Sequence, residues 1–355
     1  MSLDLRPAAA PSRHLVARAG SFSIRLHRRS MVVGAVIAVG ILGLAVVALL
    51  VGDYPVSAGQ ALQALVGRGS DPLAIFFVQD QRAPRIVCAV LVGAALAMSG
   101  AIFQSLSGNP LGSPDVIGFT SGAATGALLQ IILLGGGAAA VSTAALVGGI
   151  GTAVLIYALA WRGGLTGYRL VLVGIGVAAM LQALNGLLVV RASLDAAQTA
   201  TQWLAGSFNA SSWTDVTVIG LTIVILVPMA AALARQLSLL AMGDDVAHGL
   251  GVDVERTRLG LVAAGVGLVA MATAVCGPIV FIALAAPQLA RRLTRSTTAC
   301  LGPSALMGGA LVLASDLIAQ RLFAPTQLAV GIVSGSLGGV YLIWLLAIEW
   351  RKGQA

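Results

Sequence analysis

The chain has 355 residues, 58% hydrophobic and only 10% charged, with a mean hydropathy of +0.96. A soluble domain carries about 25% charged residues, so 21 basic and 13 acidic side chains cannot coat a globule of this length. The composition excludes a water-soluble protein of one or two domains and requires apolar surface that faces lipid.

Residues 1–30 are rich in Arg, Ala and Ser with no apolar run, which predicts a basic cytoplasmic tail without fixed structure. A transit peptide or secretory n-region shares that composition, but the next apolar stretch is long enough to span and no small-x-small cleavage pattern follows it. Charge-free runs then occupy 30–52, 86–114, 116–161, 170–190, 196–214, 216–234, 259–290, 296–315 and 322–348. Gly135-Gly136-Gly137 divides the long third run into two helices. Gly277-Pro278 and Pro287 divide 259–290 into a crossing and a short half-helix. The run 196–214 holds Gln198, Thr199, Thr201, Gln202 and Asn209, too polar for lipid, and is placed at a membrane surface. With about 20 apolar residues per crossing, the chain reads as an all-α polytopic membrane protein. Its ten helices fall near 31–51, 85–106, 115–134, 141–160, 169–190, 214–234, 258–277, 283–293, 302–320 and 327–348. Residues 31–350 thus form one membrane domain, and 351–355 a short cytoplasmic C-terminal tail.

With the N-terminus inside, 16 of the 21 basic residues fall on cytoplasmic segments and five (Arg68, Arg82, Arg85, Arg191, Arg321) on outer ones. That is the positive-inside pattern, and it accounts for the basic pI without any nucleic acid. Cys88, Cys276 and Cys300 are isolated, as are His14, His27 and His248, so neither a disulfide framework nor a metal site is predicted, and no cofactor is expected on this chain. A Walker A loop needs a lysine, and Lys352 is the single one present. Ion-coupled carriers place carboxylates inside the bundle. Here Asp316, near the outer end of the ninth helix, is the main exception, read as a helix-end charge met by Arg321 or water. The chain has a pathway but no evident motor. Among its 44 glycines, Gly118/Gly122/Gly126 and Gly331/Gly335/Gly339 repeat at spacing four, which predicts close helix packing.

Local patterns mark further positions. Arg82-Ala-Pro-Arg85 precedes the second helix on the outer side, where Pro84 can open the helix. Its arginines can either receive carboxylates from a docking protein or anchor the helix at the headgroups. Pro110 breaks the backbone on the inner side. In 238–253, Asp244 or Asp245 can cap a short helix. Val246, Ala247 and Leu250 give it a small apolar face, and Gly249 and Gly251 end it. Such a helix lies either on the membrane or on a partner.

Three segments carry a resemblance: RAPRIVCAVLVGAALAMSGAIFQSLSGNPLGSPDVIGFTSG at 82–122, LLAMGDDVAHGLGVDVERTR at 239–258, and GPIVFIALAAPQLARRLTR at 277–295. Together they resemble the FecCD family, permeases of binding-protein-dependent ABC importers for ferric siderophores, heme and vitamin B12, over about residues 32–350. GAIFQSLSGNPLGSPDVIGF, AMGDD and FIALAAPQ look most like its ferric-enterobactin (iron–siderophore) branch. The resemblance implies a type II ABC importer permease fold with inverted repeats in the bacterial inner membrane, both termini cytoplasmic. It implies a second permease subunit, two cytoplasmic ATPases that hold ATP and Mg, an extracytoplasmic siderophore-binding protein and a ferric-siderophore cargo. Heme or a corrinoid is the alternative cargo, and an ion-coupled secondary transporter the alternative class. By the same resemblance Arg82, Arg85 and Arg321 dock the binding protein. Asn109-Pro110-Leu111 and Thr166-Gly167-Tyr168 close the inner end, and Gly243, Asp244, Asp245, Ala247, Leu250 and Gly251 belong to the ATPase coupling helix. Two departures stand out: Gln288 where the family often has His, and Ala329 in place of a Pro. Arg321 is offset by one from the family's arginine.

Overall fold

Long apolar runs with no charge to anchor them in water form the long helices, and Gly and Pro breaks form the turns between them. The computed structural model describes residues 14–19, 22–52, 54–69, 71–161, 167–296 and 299–353. Inside the segment expected to lack structure, His14–Ala19 (β1) and Phe22–His27 (β2) pair antiparallel. The apolar–polar alternation of Phe22-Ser-Ile-Arg-Leu-His27 has the period of a strand. Residues 1–13 lie outside the described residues, and so do Arg162 and Thr166.

The remaining elements are helical. α1 is Arg28–Leu50, α2 is Ala58–Leu65 and α3 is Pro72–Phe76; a π-helical turn over Phe77–Arg82 joins α3 to α4, Ala83–Ser107. α5 is Pro114–Ile117, and α6 is Phe119–Leu129, extended by a π turn to Leu134. α7 is Ala138–Ala160, α8 Gly167–Arg191, α9 Leu194–Leu204 and α10 Trp213–Ala232. α11 is Ala234–Leu240 and α12 is Asp244–Gly249. α13 is Val254–Cys276, α14 Ile282–Thr294, α15 Leu301–Arg321 and α16 Val330–Gly353, which takes in most of the expected C-terminal tail.

Each of the ten expected helices has a counterpart. Seven helical stretches among the described residues are long and apolar enough to cross a membrane: α1, Pro72–Ser107, α7, α8, α10, α13 and α15. Phe119–Leu134 and Val330–Trp344 are shorter apolar helices. α14, at 13 residues, rises only about 20 Å and falls short of the ~30 Å hydrocarbon core, as its reading as a half-helix requires.

Two sequence expectations are corrected. Pro84 does not open a helix; it lies in a continuous helix that begins at Pro72, and the wide π turn just before it absorbs the hydrogen bond its missing N–H cannot make. The third helix is not continuous from 115. Gly118, at φ +99°, breaks it between α5 and α6.

α4 is the axis of the bundle and packs against α10, α13, α14 and α15. Its glycines meet backbone rather than side chains: a Cβ on Gly93 would overlap Gly308 of α15, and one on Gly100 would overlap Ala283 O of α14. In the predicted run on the third helix, Gly126 likewise lies against the Ala144 carbonyl of α7, while Gly122 makes room for the Thr152 side chain as well as the Gly148 carbonyl. Such approach lets dispersion act between backbones where lipid supplies no hydrophobic drive. Phe103 of α4 and Phe119 of α6 fill the space beside these contacts, with ring centroids 5.2 Å apart. The apolar side chains of α1 and α10 instead point outward, Val36, Val39, Leu42, Val224 and Ile225 among them.

Candidate functional site

At the end of the bundle expected to face outward, α4 and α15 bring distant charges together. Arg82 is buried and turned toward α1, its Nη1 donating to Leu49 O at 2.6 Å and its Nη2 to Tyr54 O. Gly52 makes room for it, since a Cβ there would overlap the guanidinium. Arg85 makes a two-pronged pair with Asp316: Nε and Nη2 each donate to the carboxylate at 2.8 Å, and Gln320 Nε2 donates a third 2.8 Å bond. The carboxylate expected to be met by Arg321 or water is thus held by Arg85, 231 residues away in sequence. Arg321, half-buried, ends α15 beside them. Gln327 Oε1 lies 3.5 Å from Arg85 Nη1 and also lines a polar depression of about 910 Å³, together with Asp195, Gln202, Asn209 and Asp215. In the loop between α1 and α4, Tyr54 Oη donates to Asp71 Oδ2 at 2.6 Å. That bond holds the Asp71 carboxyl below its ordinary range and pushes the Tyr54 phenol up.

At the opposite end of the bundle the expected gate residues adjoin. Asn109 Oδ1 accepts from the Leu111 N–H at 2.9 Å, an Asx turn that shapes the break at Pro110. Gly167 lies against Leu106 O, so the start of α8 touches the end of α4. Tyr168 is exposed there. The departure from the family motif has a structural role. Gln288 Nε2 donates to Pro110 O at 2.8 Å, and its Oε1 lies 3.5 Å from Tyr341 Oη. One amide therefore spans the 107–112 loop, α14 and α16. Gln104 adds a second tie, donating to Leu284 O at 2.9 Å and accepting from Arg291.

The short helix α12 stands out from this end. Its N-cap is Gly243, at φ +112° and with no side-chain cap, so neither aspartate caps it. Asp244 instead accepts from Arg258 Nη2 of α13 at 2.6 Å. The cause is competition: a buried guanidinium gains more from a carboxylate than an exposed helix end does from a cap. The predicted apolar face also divides, because Ala247 is fully buried while Val246 and Leu250 stay 44% and 62% exposed, beside Met242 at 66%. Gly251, at φ +80°, turns the chain after Leu250 as expected.

Between α5, α6, α8 and the 278–284 segment lies a cavity of about 950 Å³. Its walls are mainly apolar, with Asp115, Thr120, Ser121, Gln182 and Asn185 as polar points and Phe281 at one side. Asn185 is fixed by Thr125, whose Oγ1 donates to it at 2.7 Å. These residues were not singled out from sequence. The available signal was Gln182 and Asn185 inside an otherwise apolar run. Among the described residues no three His, Cys, Asp or Glu gather where they could hold a metal ion, and no polar cluster resembles a nucleophile–base pair.

Residues 34–347 match the model of the FecCD transport family. The chain is 47% identical, over 91% of its length and 96% of the relative's, to the ferric enterobactin transport system permease protein FepG of Escherichia coli. It is 38% identical to the iron(3+)-hydroxamate import system permease protein FhuG of Bacillus subtilis, over 84% of this chain and 92% of that one. Its fold is similar to a solved metal-chelate type ABC transporter in an inward-facing conformation, with TM-score 0.80 and 27% identity over 89% of this chain and 99% of that one. With a family match over nearly all of the membrane bundle, the chain belongs to the FecCD transport family, a family of transport permeases rather than enzymes.

Proposed function

We propose that this chain is the membrane-spanning permease subunit of an ABC importer that carries a ferric-siderophore complex across the bacterial cytoplasmic membrane. The observation that carries this reading is the near full-length match to ferric-chelate permeases. The α12 knob supports it: three exposed apolar side chains, Val246 on a short helix braced by Asp244–Arg258 and Met242 and Leu250 at its two ends, need a surface to cover. In this reading that surface belongs to one of two partner ATPases, which hold the ATP and Mg. A second, non-identical permease subunit completes the pathway, and an extracytoplasmic siderophore-binding protein delivers cargo. ATPase closure moves the pair between outward- and inward-facing states through the α12 loops.

The chain crosses the membrane ten times with both termini inside, α14 serving as a half-helix, and its two halves form inverted repeats. Asn109, Pro110, Leu111, Gly167 and Tyr168 form the inner gate. The binding protein docks on the outer ends of α4 and α15, at a surface that Arg321 borders and that the Arg85–Asp316 pair and Arg82 hold in shape. A corrinoid cargo is the second reading, since a cobalamin import permease of Halobacterium salinarum is 36% identical over 75% of this chain. Co-expression with candidate ATPase, permease and binding-protein partners tests both readings. Uptake and binding-protein-stimulated ATP hydrolysis with iron-loaded catecholate or hydroxamate chelates are expected. Absence of a complex overturns the importer reading, and stimulation by a corrinoid alone overturns the cargo.

A further inference from the structure

The inner ends of α1 and α14 place five arginines beside α16. α14 packs against both α1 and α16, and its last turns carry Arg291, Arg292 and Arg295. At the start of α1, Arg29 donates Nε to Leu293 O of α14 at 2.8 Å, so Arg28 and Arg29 join the same patch. On the other side, Arg292 lies over the Trp344 ring of α16, 5.7 Å from its centroid. Arg28, Arg29, Arg292 and Arg295 are all exposed. α1 and α14 carry no carboxylate of their own. Immediately beyond the charges the surface turns apolar: Val32, Val36 and Val39 run outward along α1, and Leu293, Val340 and Ile343 lie exposed on the other two helices.

Cations, an interfacial indole and apolar helix faces in that order match the layers of a phospholipid: phosphate, glycerol level, acyl chain. We propose that this junction of α1, α14 and α16 is a binding site for an anionic phospholipid, phosphatidylglycerol or cardiolipin, seated with its phosphate among Arg28, Arg29 and Arg295. Zwitterionic lipid offers no net charge for these cations to neutralise. Free phosphate offers no chains to the valine and leucine faces. Bound there, the lipid ties α1 to α14, whose inner half carries the Gln288 and Arg291 contacts to the gate loop. The proposal rests on the membrane-spanning reading but not on cargo, and the inside orientation decides only which leaflet supplies the lipid.

The test uses the purified full chain in detergent, titrated with phosphatidylglycerol, cardiolipin, phosphatidylethanolamine or inorganic phosphate. Bound lipid is counted by native mass spectrometry. The anionic lipids are expected to bind at least tenfold more tightly than phosphatidylethanolamine. Arg28→Gln with Arg295→Gln, both at exposed positions, is expected to weaken that binding about thirtyfold. Arg235→Gln with Arg256→Gln, which removes two inner-side arginines elsewhere, is expected to change it less than twofold. Equal losses from both pairs mean diffuse surface attraction and overturn the site. Equal binding of inorganic phosphate overturns the lipid, and no preference over phosphatidylethanolamine overturns the proposal entirely. Native mass of each variant shows that it remains folded and monodisperse, and none of these readouts depends on transport.

Discussion

Replacing Arg85 by Met should destabilise the chain more than any other single change at that end of the bundle. Asp316 is 2% exposed and accepts two bonds from Arg85 and one from Gln320, all at 2.8 Å. At about 4 Å between charge centres and an effective dielectric of about 20, the attraction is ~4 kcal/mol. Without Arg85 the carboxylate stays buried with one amide donor, a cost of about 3–5 kcal/mol. Asp316→Asn is milder, because Arg85 is 14% exposed and can recover hydration; about 1–3 kcal/mol is expected. The double variant Arg85→Met, Asp316→Leu removes both charges and should come back to within ~1 kcal/mol of the native chain. Equilibrium unfolding in mixed micelles of the native chain, Arg85→Met, Asp316→Leu and the double variant gives the coupling directly. Additive effects in the double variant, or a loss under ~1 kcal/mol for Arg85→Met, would refute the reasoning and return Arg85 to a purely external role.

Three further outcomes are expected. Gly100→Ala places a methyl on the Ala283 carbonyl and should cost about 1–3 kcal/mol or more in the same unfolding assay, whereas Gly151→Ala, with open space around it, should be neutral. Asp244→Ala leaves Arg258 buried without its carboxylate and should lower binding-protein-stimulated ATP hydrolysis several-fold more than Asp245→Ala does; equal effects would show that the brace is irrelevant. In the outer loop, Asp71 is depressed below its ordinary 3.8 and Tyr54 raised above its ordinary 10.0. The Asp71 contribution is therefore full above pH 3.8 and lost as pH falls through the depressed value. The Tyr54 contribution is full below pH 10.0 and lost as pH rises through the raised one. Intrinsic-rate-corrected protection of the Leu73 amide, which donates to Asp71, should be flat between those limits and fall outside them; Asp71→Asn should abolish the acid limb.

Much of the helical layout was legible because lipid imposes a local rule: twenty residues without charge make a helix, wherever they pack. The breaks at 135–137 and 277–278 were legible for the same reason, as was the half-helix between Pro278 and Arg295. What escaped was decided by contacts distant in sequence. Residues 72–82 hold Asp80 and Arg82 and read as loop, yet Arg82 finds carbonyls at 49 and 54 that let the helix extend past the apolar run. Asp244 looks like a cap in a window of six residues, and only Arg258, fourteen residues on, redirects it. Gln288 reads as a departure from a motif until Pro110 O is placed opposite it. The break at Pro110 was legible because a residue with no N–H to donate marks it locally. The cavity wall was not, because Asp115, Gln182 and Phe281 share no spacing in the chain.

The backbone-on-backbone seam of α4 with α15 at Gly93 and Gly308, and with α14 at Gly100, has a mechanical corollary. A seam of side chains can ratchet, because rotamers re-engage after a slip; a seam of carbonyls against bare α-carbons has no second register to fall into. α4, α14 and α15 therefore form one stiff strut, clamped at one tip by Arg85–Asp316 and near the other by Gln104 and Gln288. Any bending stroke has to be taken up where side chains still separate the helices, which leaves the strut to deliver a push at one face of the membrane as an equal displacement at the other.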